Sequence, residues 1–85
     1  MIYKTTHKFW DYYRRLPQEI QNRADKQFEL LKQNPAHPSL QLKKTQRGSY
    51  WSARVNDDYR ALAIEEDGIM MWVWIGKHGE YDRRI

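Results

Sequence analysis

The step Asp67-Gly68 constrains this chain more than any other feature. An Asp-Gly pair between two β-favouring runs is a strong signal for a two-residue hairpin turn. Upstream lies YRALAI (59–64); downstream lies IMMWVWI (69–75), the most apolar run in the sequence. A third run, YWSARV (50–55), meets the first across the polar turn NDD. Three strands joined by turns this short form an antiparallel meander. Such a sheet is stable only when one face is covered, so the remaining residues must supply a cover.

They supply two helices. IYKT (2–5) reads as a short edge strand, and Thr5 or Thr6 offers an N-cap. Phe9, Trp10, Tyr13 and Leu16 follow at helical spacing, and Pro17 ends that helix and suits the start of the next. In the second helix Ile20, Ala24, Phe28 and Leu31 form a stripe, with Gln21, Asn22, Asp25, Lys26 and Glu29 on the other side. Asn34-Pro35 stops it. Residues 35–49 read as a basic loop carrying Lys43, Lys44 and Arg47, with Leu40 and Leu42 turned back to the core. The expected fold class is α+β, in the order β-α-α-β-β-β. An antiparallel sheet carries a two-helix hairpin on one face, in a single domain spanning residues 1–85.

The absence of cysteine excludes disulfides and thiolate metal sites. The longest apolar run is far short of the roughly 20 residues a membrane span needs, and no signal peptide is recognisable, so a soluble, cytoplasmic protein is expected. The net charge of +4 is uneven. Residues 1–48 hold ten Lys/Arg against four Asp/Glu; residues 49–85 hold five against seven. A basic excess of this kind fits either an ordinary solvated surface or an anionic partner, most simply nucleic acid.

Turn lengths set the register. A three-residue loop at Asn56–Asp58 puts Arg54 opposite Arg60 on one face. Counting from the Asp67-Gly68 turn puts Ile75 opposite Arg60, with His78 three residues on. Leu62, Ile64, Met71 and Val73 then share the arginine face, while Ala53, Ala61, Ala63, Trp72 and Trp74 share the other, under the helices. Two adjacent guanidinium groups repel, so each needs an anion. Asp57, Asp58 or Asp82 can provide one; so can a phosphate, which a guanidinium fork binds bidentately.

Three stretches, LPQEIQNRADKQFELLKQNPAHPSLQLKKT, YWSARVNDDYRALAI and WIGKHGEYD, together resemble the RelE/ParE toxin superfamily of bacterial toxin–antitoxin modules. The resemblance covers nearly the whole chain and rests on order and spacing: LP between helices, NP before a basic loop, RV…YR across a hairpin, IGKH…YD after the last strand. It implies the same β-α-α-β-β-β fold and a small antitoxin partner. RelE-like members cleave messenger RNA, commonly on the ribosome; ParE-like members inhibit DNA gyrase. Tyr59-Arg60 and His78 match the RelE-like pattern, whereas Ser52 and Arg54 stand where some members carry two lysines.

The RelE-like reading assigns chemistry. Cleavage without metal or cofactor uses the ribose 2′-hydroxyl as nucleophile and needs a base, an acid and cations around phosphorus. Arg54 and Arg60 stabilise the phosphorus, and His78 is the base or acid, histidine being the side chain that changes charge near neutral pH. Tyr81 stacks on a base or donates a proton, Asp82 orients His78, and Lys43, Lys44, Arg47, Lys77 and Asp82 contact RNA. His37 reads as a loop residue, and His37, His78 and Asp82 lack regular zinc-ligand spacing. The alternative is a non-catalytic gyrase inhibitor or a module that only binds its antitoxin. An antitoxin segment with acidic residues is expected to cover the apolar strip beside the arginines.

Overall fold

The computed structural model describes residues 2–45 and 50–80. Strand β1 (Ile2–Thr5) leads into helices α1 (His7–Arg14) and α2 (Gln18–Gln33). Strands β2 (Lys43–Lys44), β3 (Trp51–Arg54), β4 (Tyr59–Glu66) and β5 (Ile69–Lys77) follow. The expected order is found, with one short strand more. Lys43 and Lys44, expected in a loop, pair with Ser52 and Trp51. The sheet runs β1-β5-β4-β3-β2. It is mixed rather than wholly antiparallel, because β1 lies parallel to β5 with Ile2 opposite Ile69. No helix among the described residues is long and apolar enough to cross a membrane.

Local chemistry accounts for each boundary. Thr6 caps α1, its hydroxyl accepting from the Phe9 amide at 3.1 Å, while its own amide donates to the Trp72 carbonyl at 3.0 Å. The cap therefore also pins α1 to the edge of β5 beyond the end of β1. Pro17 starts α2, and the chain leaves helix before Pro35. Asp67 and Gly68 both take positive φ, 53° and 80°, as a two-residue hairpin turn requires, and Glu66 pairs with Ile69. The side chain of Asn56 accepts from the amides of Asp58 and Tyr59, closing the three-residue turn and setting Arg54 opposite Arg60.

The alanine face lies under the helices, as expected. Ala53, Ala61, Ala63, Trp72 and Ile75 pack with Phe9, Ile20, Leu31 and Leu40. Small residues on the sheet admit the bulky helix side chains. Gln27 interrupts the α2 stripe, buried among apolar neighbours. Its Nε2 donates to the carbonyls of Arg54 (2.8 Å) and Ser39 (3.2 Å), so α2, a 3-10 turn at Pro38–Leu40 and β3 share one side chain. His37 caps that turn, its Nδ1 accepting from the Ser39 amide, as suits a loop residue.

The helices are joined across their polar edge by Tyr13, whose hydroxyl donates to Asp25 Oδ1 at 2.7 Å. Burial first, and then the hydrogen bond and charge of Asp25, push the phenol up to about 12. The folded state thus favours the neutral phenol. Its contribution is complete below the unfolded value near pH 10 and is lost as pH rises through the folded value. Asp25→Asn should bring the Tyr13 titration down. An ultraviolet absorbance titration checks this, and an unchanged midpoint would remove Asp25 from the account.

The register departs from simple alternation at one place. Ala63 pairs with Trp72 but Leu62 pairs with Trp74, leaving Val73 as an extra residue in β5. This bulge moves everything after it by one position. Gly76, not Ile75, lies opposite Arg60, and Ile75 lies opposite Ala61. Trp74, expected with the alanines, lies on the arginine face and packs against Leu62 with Tyr12, Tyr50 and Val73.

Candidate functional site

The two arginines lie directly across the β3–β4 hairpin, and their side chains diverge. Arg60 reaches over β3 toward β2. Its Nε donates to Ser52 Oγ at 2.6 Å, and its two terminal nitrogens donate to Gln41 Oε1 and the Gln41 carbonyl, each at 3.2 Å. It is only 8% exposed. Arg54 turns the other way, to Asp57 Oδ1 at 2.6 Å. Divergence relieves the like-charge repulsion, so the fold does not require an anion between the two.

The partners differ in kind. Ser52 and Gln41 are neutral, and these three bonds orient the Arg60 guanidinium. Asp57 is charged, and its hydrogen bond and proximity to Arg54 hold its carboxyl below the usual carboxylate range. Its side chain is 91% exposed, and a surface pair of this sort is easily exchanged for another anion.

β5 closes the site. Gly76 lies opposite Arg60, and a Cβ there would fall 2.5 Å from Cζ2 of Trp74. The indole therefore lies over Gly76, and glycine is what lets it. Beyond Lys77 the chain is tied to the hairpin turn, the His78 amide donating to the Asp58 carbonyl at 2.8 Å. His78 then opens a helical turn. Gly76, the last residue but one of β5, is on the arginine side. The β3–β4 turn thus brings the backbone of His78 to the same end of the ladder as Arg54 and Arg60.

The remaining expected site residues divide. Lys43 pairs with Ser52 on the arginine side. Lys44 falls on the other side, with its ammonium 5.7 Å from the ring centroid of Trp51. Lys77 is exposed and pairs with Tyr59, out of phase with Arg60. Arg47, Tyr81 and Asp82 lie outside the described residues. Two residues central to the geometry, Gln41 and Ser52, carry no sequence signal. Each is a small or neutral polar side chain whose partner, Arg60, is distant in sequence.

Of the apolar strip expected beside the arginines, Ile64 (41% exposed), Met71 and Val73 are open in whole or part, and Ile2 and Ile69 extend it. Leu62 is sealed beneath Trp74. A separate apolar cavity of about 90 Å³ lies on the opposite side, between the helix hairpin and the sheet.

The model of a family described as the ParE-like toxin domain matches residues 18–83, from α2 through the arginine site. No curated protein matches the chain. Solved structures resemble it over almost their whole length. The RelB-RelE antitoxin-toxin complex from Methanococcus jannaschii matches with a TM-score of 0.75 at 13% identity, covering 96% of this chain and 98% of that one. YafQ from E. coli strain BL21(DE3) gives 0.72 at 14%, covering 93% and 94%. A YoeB/ParE toxin from Agrobacterium tumefaciens gives 0.68 at 18%, covering 92% and 99%. At these identities the likeness is one of fold, and it is the fold the sequence resemblance implied.

Proposed function

This chain belongs to the ParE-like toxin family, and from that premise we propose that it is the toxin of a toxin–antitoxin module and cuts messenger RNA. One observation supports the reading: the turn between the facing Arg54 and Arg60 also holds the His78 backbone, whose amide donates to the Asp58 carbonyl. A cation pair beside a histidine is what transesterification at phosphorus needs. The ribose 2′-oxygen attacks phosphorus, and its proton passes to a base. The bond to the 5′-oxygen breaks, and that oxygen takes a proton. The products are a 2′,3′-cyclic phosphate and a 5′-hydroxyl. Arg60, oriented by Ser52 and Gln41, meets the charge gathering on phosphorus. Arg54 exchanges the exposed Asp57 carboxylate for a phosphate oxygen. His78 serves as base or acid, and Tyr81, Asp82, Lys43, Lys44, Arg47 and Lys77 complete the RNA contacts. The message is taken on the ribosome, so the protein works in the cytoplasm, as one domain.

His78→Ala should leave the fold intact and lower cleavage at least about 100-fold. The measurement is 5′-end mapping of cellular messages after induced expression at equal protein level. Undiminished cleavage by the variant takes His78 out of the mechanism.

A second reading has one observation in its favour. Arg54 and Arg60 both have partners within the protein, as arginines with purely structural roles would. On that reading the chain is a non-catalytic inhibitor of DNA gyrase, as ParE-like toxins are, or a module that only pairs with its antitoxin. Gyrase supercoiling lost in the presence of the protein, with cellular messages intact, would decide for it.

RelB-RelE and DinJ-YafQ are solved as toxin–antitoxin complexes. The corresponding partner of this chain is an antitoxin segment that lays apolar residues along Ile64, Met71 and Val73 and acidic residues toward Arg54 and Lys43. Ile64→Asp should weaken that complex about tenfold or more, measured by titration calorimetry. Unaltered affinity would move the docking site elsewhere.

A further inference from the structure

Gln41 has a left-handed backbone at a helix end, a place that glycine usually fills. It ends the 3-10 turn in the left-handed region, φ 43° and ψ 45°, which glycine enters more readily than glutamine. It is exposed, so its side chain does not fill the core. The turn it ends is nonetheless firmly placed. Leu40 is 1% exposed in the core, Gln27 holds the Ser39 carbonyl, and the Gln41 amide donates to the Pro38 carbonyl. The left-handed conformation lets both Oε1 and the main-chain carbonyl of one residue face the Arg60 guanidinium.

We propose that Gln41 is a positioning residue, which with Ser52 fixes the plane in which Arg60 presents its guanidinium to a phosphate. A guanidinium held only at Nε still swings about its remaining bonds. Acceptors on Nε and on both terminal nitrogens remove that freedom, and a preorganised donor array loses less on meeting a transition state than one that must be ordered first. The same turn is tied through Gln27 to the backbone at Arg54, so the two arginines are set from one loop. The role in cleavage rests on the RNA-cutting reading above; the hold on Arg60 does not.

The test separates the two. Gln41→Gly relieves the left-handed backbone and removes Oε1. Its melting temperature should equal or exceed that of the native protein. The main-chain carbonyl still accepts from Nη2, so it is the Nη1 resonance of Arg60, resolved in the native protein, that should collapse to its averaged position, and kcat for RNA cleavage should fall about tenfold with KM within about twofold. Gln41→Glu should keep that resonance resolved yet lower cleavage further, because a carboxylate neutralises the guanidinium. A purely structural role predicts melting shifts with kcat unchanged, and that result overturns the proposal, as does an Nη1 resonance that stays resolved in Gln41→Gly. If the native chain cuts no RNA, the RNA-cutting reading fails. The Nη1 resonance alone then decides whether Gln41 positions Arg60: collapse supports it, persistence overturns it.

Discussion

Arg60→Ala is expected to lower RNA cleavage by about a thousandfold, the scale on which an arginine at a transferring phosphoryl group contributes. It should also destabilise the free protein. A bare pair of facing arginines would predict the opposite sign, because deleting one charge relieves repulsion. The observed geometry reverses that expectation. Removing the side chain abolishes three hydrogen bonds and strands the buried Ser52 hydroxyl without its Arg60 partner. A loss of about 1–3 kcal/mol follows, or roughly 4–8 °C in melting temperature per kcal/mol for a domain this small. Arg60→Lys keeps the charge but has no planar fork. It should recover part of the stability and little of the cleavage. A melting temperature that rises in Arg60→Ala would show that the Ser52 and Gln41 bonds do not hold in solution. Normal cleavage by a folded Arg60→Ala would remove Arg60 from the chemistry.

The second large effect is expected at a residue with no side chain. Gly76→Ala places a methyl carbon 2.5, 3.0 and 3.2 Å from three atoms of the Trp74 indole. That ring is 2% exposed and packed on Leu62, so it has little room to retreat. Overpacking of this kind costs about 1–3 kcal/mol. The crowded atoms belong to the six-membered ring of the indole, which reaches further than a phenyl ring does. Trp74→Phe opens a void alone but should accommodate the methyl group added at position 76, so the double variant should be more stable than the two single losses predict. Denaturant melts of the four proteins measure this coupling. Additive losses would mean that the indole does not lie over Gly76.

The bulge also shows where sequence reading runs out. Turn chemistry was legible: Asp67-Gly68 and Asn56–Asp58 adopt the expected loops, and the Arg54–Arg60 pairing follows from them. The helices were legible because Phe9 in α1, and Ile20 and Leu31 in α2, belong to stripes at helical spacing and are buried. In IMMWVWI, however, every residue is apolar. With no polar residue to mark a face, nothing in the run says where alternation breaks, and the count is off by one after Val73. The side on which Trp74 lies changes with it. β2 escaped for another reason. Lys43 and Lys44 have no strand preference, and neighbours at Ser52 and Trp51 impose the pairing. Gln27, Gln41 and Ser52 act through partners far along the chain, which no local pattern encodes.

The parallel pairing of β1 with β5 governs the order in which this protein can become active. β1 precedes the other elements in the chain, yet among the described residues it pairs only with Ile69–Trp72. The amide of Thr6, which anchors α1, likewise donates to Trp72. A nascent chain that has not reached Trp72 has no strand to receive β1 and no carbonyl to receive the Thr6 amide. The β3–β4 hairpin can close locally, but the rim that includes Gly76 and His78 comes later still. Contacts of such long sequence separation form slowly and together rather than one element at a time. Folding therefore acts as a timer: a partly made chain holds both arginines and no assembled site.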